Sequence, residues 1–359
     1  MASTTTLLTW SLIRFKDGYQ QAKQLDMMYD MVKWPLDYFL KAWEPGHSFW
    51  GRPEDMTMAR PCKVVSSGSK GSDIAGETAA ALAAGAIAFK DKGDNSYSTQ
   101  LLAAAESLYS FAKANRGVFG GSAAFYGSSG DQDEMCGAAV SLYRATGNND
   151  HLSDAKGFVE TAWGWSLSWD DKNVACQELL YEETNDAIYK DAVVGFFQGW
   201  LPGGQITYTP CGLAWRDKWG ANRYAGNAAF MALLAAEAGI ETDKYRTWAT
   251  EQINYLLGDN NHDGGCYSFE IAAPSCPDRP SPCSQAQLSA NVPSPQVLQG
   301  ALVGGPDAQD NCQDLRTDYV QNKVATDYNS GFQGALAGIN HLQASGKMPA
   351  TNNKCPCKN

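Results

Sequence analysis

GSDIAGETAAALAAGAIAF, residues 71–89, decides the fold. Its apolar positions fall at helical spacing, and its wealth of Ala and Gly suits a helix packed tightly on both sides. The same periodicity recurs along the chain. Segments 4–15 and 18–42 come first, then 73–91 and 96–115, 133–145 and 150–165, 172–184 and 186–200, 221–238 and 242–258, and finally 324–344. Gly and Asn clusters such as TGNND (146–150) and GDNN (258–261) separate the members. Strand-like alternation is scarce. Paired helices of this length predict an all-α fold, a toroid of helical hairpins rather than a four-helix bundle. The helices number eleven, an odd count where hairpins need an even one. No linker divides residues 1–359, so a single domain is expected. Residues 259–323 are largely loop, and structureless stretches of that length are usually functional.

Composition narrows the function. Hydrophobic residues make up 44% of the 359, enough for a large core. The net charge of −11 repels nucleic acid and anionic membrane, so neither is an expected partner. No run of eighteen apolar residues is present to span a bilayer. The opening MASTTTLLTWSLIRF has no basic residue before its short apolar run, so it does not read as a secretory signal. There are ten cysteines. Cys276 and Cys283 lie in a Pro-rich loop and Cys355 and Cys357 in a polar tail, places that suit disulfides in a secreted protein; the alternative is free thiols in a cytosolic one. With four histidines and no C-x-x-C pair, a zinc site is not expected.

Two further patterns carry chemistry. Trp50, Trp165, Trp215, Trp219, Tyr126 and Tyr208 sit at or near element ends, where an aromatic face can stack on a sugar ring; packing in the core or at its rim is the competing role. SSGDQDE (128–134) places Asp133 and Glu134 after a Ser-Gly turn, which offers hard oxygen ligands to calcium or acidic side chains to a helix N-terminus. DNNHDGGCYSFE (259–270) matches the EF-hand loop spacing, but the prolines after it forbid the second helix of that motif.

Four stretches resemble glycoside hydrolase family 9 cellulases, especially the invertebrate endoglucanases. They are WGRPEDM (50–56), GSDIAGETAAA (71–81), GGQITYTPCGLAWRDKWGANRYAGNAAF (203–230), and SPQVLQGALVGGPD (294–307) with DLRTDYVQNKVATDYNSGFQGAL (314–336). The resemblance implies an (α/α)6 barrel with an open cleft for a β-1,4-glucan chain, here lacking its first helix, and endo-β-1,4-glucanase activity by inverting hydrolysis. It also implies a secreted protein, expected here as a monomer. Inversion needs two carboxyl groups, one to protonate the leaving oxygen and one to activate water. By matching motif, the family's supporting aspartate is Asp314, while the position of its acid glutamate holds Lys323. A lysine ordinarily stays charged near neutral pH and would set a cation beside a developing oxocarbenium ion. The family's base lies in a D-A-G-D segment ahead of the helix matching 4–15, a segment this sequence does not contain. Its His-His-Arg loop is replaced by CYSFEIAAPSCPDRPSPC (266–283), and loops near 44–49 and 119–124 read as short. Asp318 and Asp327 are expected to cap and to decorate a helix surface rather than to substitute for the acid. The resemblance assigns His47, Trp50, Tyr126, Trp165, Trp215 and Tyr328 to the glucan cleft, and structural calcium to Ser129, Gly130, Asp133, Glu134 and Asp170. Little or no activity is therefore expected. The alternatives are a non-catalytic glucan-binding protein, or a truncated, poorly folding product exposing Leu7, Leu8, Trp10 and Ile13 on an unpaired helix.

Overall fold

The computed structural model describes residues 1–44, 48–51, 63–122, 126–260, 277–278, 280–290, 295–296, 298–313, 315 and 317–352. The chain forms two compact units, Met1–Phe196 and Phe197–Asn359. The boundary falls inside a helix, which is why no linker composition marks it.

The first unit opens with α1 (Ala2–Arg14), α2 (Lys16–Gln21) and α3 (Leu25–Ala42). The periodic segment 18–42 is thus two helices: Lys23 takes φ 58°, a left-handed turn that helix propagation cannot pass. A three-stranded antiparallel sheet follows, β1 (Trp43–Glu44), β2 (Ser48–Gly51) and β3 (Lys63–Val65), in the order β1-β2-β3. Next come α4 (Ser72–Lys92) and α5 (Asn95–Ala114), joined at Gly93 in the left-handed region, with Asp94 accepting the Tyr97 amide at 3.1 Å as N-cap. α4 is buried nearly all round, as its Ala-rich sequence predicts: Ala75, Ala79, Ala81 and Ala83 have no exposed surface. It packs against α1, α5 and α6. At Gly85 the approach is so close that a Cβ would stand 2.7 Å from Leu36 of α3.

The unit continues with α6 (Gln132–Thr146), α7 (Asn149–Phe158), α8 (Asn173–Thr184) and α9 (Ala187–Trp200), whose last turn enters the second unit. The expected helix 150–165 stops at Phe158. Val159 turns extended, and the irregular chain beyond it is held by the side-chain amides of Asn173 and Gln177, which both donate to the Glu160 carbonyl, at 2.8 and 2.7 Å. A disulfide between Cys136 and Cys176 ties α6 to α8, and Cys211 and Cys283 are also disulfide-bonded. Loop positions had pointed to disulfides; the helix-to-helix bridge carries no such local signal.

The second unit holds β4 (Thr207–Tyr208) paired with β5 (Ala214–Trp215), then α10 (Ala221–Glu237), α11 (Thr242–Leu256), α12 (Gln285–Leu288) and α13 (Thr326–Ala344). α10 is the second all-buried helix and packs on α11 and α13. Between α12 and α13 the described residues are almost all loop, as the sequence predicts for 259–323.

One expectation is corrected. Leu7, Leu8 and Trp10 are 4, 8 and 6% exposed, so α1 does not present a bare apolar face. α3 and α4 of the same unit cover it. The all-helical hairpin class expected from the sequence is the class observed.

Candidate functional site

The expected site residues fall in both units. In the first unit, α8 begins after Lys172, its N-cap residue, which is buried at 7% exposure. The ammonium lies 2.7 Å from Glu134 Oε1, 3.3 Å from Asp133 Oδ2 and 3.7 Å from Glu77 Oε2. The backbone N–H of Lys172 also donates to Asp133 Oδ2 at 2.7 Å, and the Thr6 hydroxyl donates to Glu77 Oε1 at 2.6 Å. Burial alone would lower the pKa of Lys172, but Glu134, Asp133 and Glu77 together hold it well above its ordinary value. Burial likewise works to raise that of Asp133, and the Lys172 charge outweighs it and keeps the carboxyl below its usual range. The network borders a cavity of about 460 Å³ between α1, α4, α6 and α8.

This arrangement bears on calcium. Of the five positions assigned to it, Asp133 and Glu134 are engaged by Lys172, the Gly130 carbonyl accepts from the Ser128 hydroxyl at 2.7 Å, and Asp170 Oδ1 accepts from the Ser129 N–H at 2.8 Å. Among the described residues, no three His, Cys, Asp or Glu side chains converge as metal ligands. As placed, the Asp133 and Glu134 carboxylates already pair with an ammonium, that of Lys172. Ahead of it, Arg116 grips Asp131 through both carboxylate oxygens, at 2.6 and 2.5 Å, and fixes the turn that starts α6. The EF-hand-like stretch from residue 261 onward lies outside the described residues.

Of the aromatic residues in this unit, Trp165 is 43% exposed on the irregular segment after α7. Tyr126 packs edge-on against Trp169 with ring centroids 5.2 Å apart. Trp163, which motif matching did not single out, is 57% exposed. Trp50 lies in β2, opposite Val64; its side chain, and all of His47, lie outside what is described.

In the second unit, the described residues of 301–325 form a strapped loop. Val303 bridges Val324, Gly305 N–H donates to the Gln321 carbonyl at 3.0 Å, and the buried Asn322 amide donates to the carbonyls of Gln313 and Leu315 at 2.7 and 3.2 Å. These ties fix Lys323, whose ammonium stands 5.8 Å from the centre of the Tyr328 ring, within cation–π range. The Arg223 guanidinium lies over the same ring at 5.2 Å and pairs with Asp327 at 2.9 Å. Asp318 accepts from the N–H groups of Val320 and Gln321 at 2.9 and 3.0 Å. Both aspartates thus have structural tasks, as expected, although Asp327 is paired rather than merely solvated. Asp314 lies outside the described residues.

Tyr328 is 3% exposed and packs over Gly220, so its ring offers no open face. Trp215 is half-buried, its indole N–H donating to the Pro306 carbonyl at 2.9 Å. The open platform in this unit is a pair that motif matching did not select. Trp219 and Tyr319 stack with centroids 5.7 Å apart and planes 31° from parallel, and they are 42 and 69% exposed. Trp219 stands in the loop-end aromatic set noted above. Tyr319 gave no local sign, because its partner is far away in the chain.

Comparison with known proteins completes the picture. The profile described as "Glycosyl hydrolase family 9" matches residues 1–336. An endoglucanase of Dictyostelium discoideum is 38% identical over 370 residues, covering 94% of this chain and 51% of that protein. An endoglucanase structure from the termite Nasutitermes takasagoensis superposes with a TM-score of 0.89 at 41% identity, covering 96% of this chain and 85% of that one. The cellulase Cel9M of C. cellulolyticum, in complex with cellobiose, superposes with a TM-score of 0.83 at 30% identity, covering 95% and 84%. The chain spans little more than half the length of the first curated relatives it matches.

Proposed function

The chain belongs to glycosyl hydrolase family 9, and from that premise we propose that it binds β-1,4-glucan on an endoglucanase scaffold while hydrolysing it at or near the background rate. Its helical architecture is that of the family 9 cellulases, consistent with an (α/α)6 barrel. The proposed loss of turnover rests on Lys323, which the motif resemblance sets at the family's acid position and which is held in the strapped loop beside Tyr328.

The chemistry is direct. Inverting hydrolysis needs a neutral carboxylic acid to protonate the leaving oxygen and a carboxylate to activate water, about 6.5–9.5 Å apart. An ammonium at the acid position adds positive charge next to a transition state that is itself developing positive charge. The carboxylates flanking it in sequence are engaged elsewhere, Asp318 in its turn and Asp327 with Arg223. What the chain keeps is a set of exposed rings, Trp165 in one unit and the Trp219–Tyr319 stack in the other. Such rings match the apolar C–H faces of glucose units. The bound cellobiose of the Cel9M structure supports a cello-oligosaccharide as ligand. The Cys136–Cys176 disulfide supports a secreted, oxidising setting.

Calorimetry with cellohexaose and a reducing-sugar assay on carboxymethylcellulose test the reading together. Cellohexaose should release binding heat at millimolar concentration, and replacing both Trp219 and Tyr319 by Ala should weaken it by about tenfold or more. The assay should read background. Robust turnover by the purified chain would overturn the proposed inactivity, and absence of heat would overturn the proposed binding.

A further inference from the structure

The cavity bordered by the Lys172 network is larger than a packing defect. Folded interiors leave few voids bigger than a water molecule, whereas about 460 Å³ falls in the range of small-molecule sites. Its walls are one face of each of four helices. That face runs from Ser3 to Ile13 on α1, from Glu77 to Ile87 on α4 and from Lys172 to Glu183 on α8. At about ten residues of helical rise, the cavity is about 15 Å long. Between its ends the lining is largely apolar, with Leu7, Trp10, Ala80, Ala84, Ala175 and Leu179. On the α6 side lies Gly137, where an added Cβ would meet nothing within 4 Å. The two ends carry charge, and they differ. At the far end Arg144 is paired with Glu182 and Glu183, each at 3.2 Å. At the near end a single ammonium serves three carboxylates. Lys172 approaches Glu134 and Asp133 at 2.7 and 3.3 Å, but Glu77 Oε2 only at 3.7 Å, too long for a hydrogen bond. Glu77 is buried, and its other oxygen accepts from the Thr6 hydroxyl. Of the other cations nearby, Arg116 is held by Asp131 and Lys70 is exposed.

We propose that this cavity binds a single-chain amphiphile with a cationic head, its alkyl chain along the apolar walls and its ammonium against Glu77. The walls set the tail. Water gains little between apolar side chains, and such cavities take apolar ligands instead. At about 1.2 Å of reach per single bond, an extended decyl chain spans about 12 Å, which the length of the cavity accommodates. The acidic end sets the head. An ammonium carries three donors and no acceptor, which suits the Glu77 oxygen that Lys172 does not reach. A carboxylate head would meet Glu77 and Asp133 with only the shared Lys172 ammonium to oppose them. The starts of α4, α6 and α8 do favour anions through their dipoles, but the chain's own carboxylates already answer them. The Lys172 N–H at the start of α8 donates to Asp133, and the carboxyl of Asp131 stands at the start of α6. Ser3 and Thr6 keep partial exposure beside Glu77, as Ile13 and Ile87 do at the opposite end, so the cavity reaches the surface at both. A head at the acidic end therefore keeps contact with water while its chain is buried.

Titration calorimetry of the purified chain with n-octylamine, n-octanol, octanoate and n-decylamine, each below its micelle-forming concentration, tests the proposal. Octylamine should bind at least about tenfold more tightly than octanoate, with octanol between them. Decylamine should bind roughly fifteenfold more tightly than octylamine, about fourfold for each added methylene that is buried. Gly137→Leu fills the open space on α6 and replaces a glycine in a helix interior, so it should raise the melting temperature and abolish binding of both amines. Glu77→Gln keeps the shape of the cavity and should weaken octylamine about tenfold while leaving octanol unchanged. The absence of heat with both amines overturns the proposal. So does octanoate binding as tightly as octylamine, or amine binding that a folded Gly137→Leu variant retains, since the chain would then lie elsewhere, as on the exposed rings. Should that variant fail to fold, Glu77→Gln decides alone: an equal loss for octylamine and octanol, or no loss for either, overturns the assignment of the head.

Discussion

Glu178 of α8 has no exposed surface. Arg14 and Arg144 close on its neighbour Glu182, not on Glu178 itself. Burial first, and then the charge of Glu182, push the Glu178 pKa well above the ordinary carboxylate range. The raised value fixes the sign of its pH effect. Folding favours the protonated form, so stability is fully present below the unfolded pKa, near 4.3, and is lost as pH rises toward and through the folded value. Glu178→Gln removes that titration. The variant should melt close to the wild type at about pH 4 and several degrees higher at about pH 8, by scanning calorimetry. An equal difference at both pH values would refute the assignment. Nothing in the sequence singles out this residue. On the page it is one acid in QELLYEET, and only the surrounding helices make it buried.

At the scale of elements, the helices were legible and their joints were not. Segment 324–344 corresponds to Thr326–Ala344, and 242–258 to Thr242–Leu256, because amphipathic spacing is a local property of the chain. The break at Lys23 and the early stop of α7 at Phe158 depend on one left-handed residue and on amides reaching from α8, which periodicity does not register. The Lys172 network was missed for the same reason. Its members sit near the starts of α4, α6 and α8, separated in sequence and joined only by packing. Reading the acidic turn by resemblance pointed to calcium; the geometry gives those carboxylates an internal cation. Two measurements follow from this. The melting temperature of the native chain should be the same in calcium and in excess EGTA. Lys172→Met should lower stability by about 3–5 kcal/mol, the usual cost of leaving buried charge uncompensated, and calcium should then become able to stabilise the variant. A native melting temperature that falls on chelation would show that the ammonium does not do the ion's work.

At the scale of the whole molecule, the net charge of −11 and the proposed uncharged ligand make separate demands. A neutral glucan on the proposed Trp219–Tyr319 platform would feel hydrophobic and dispersion contacts rather than the protein's long-range field. Carboxymethylcellulose is a polyanion and is repelled by that field, so weak signals on it mix chemistry with electrostatic exclusion. Salt separates the two, since raising ionic strength from about 0.01 to about 0.15 M shortens the screening length from about 30 to about 8 Å. The dissociation constant for cellohexaose should be unchanged across this range, while binding of carboxymethylcellulose should tighten. Hydrolysis of both substrates should stay at background at each salt concentration, because screening restores access but supplies no proton donor. Cellohexaose affinity that weakens steeply with salt would mean that charged groups, not the exposed rings, hold the sugar.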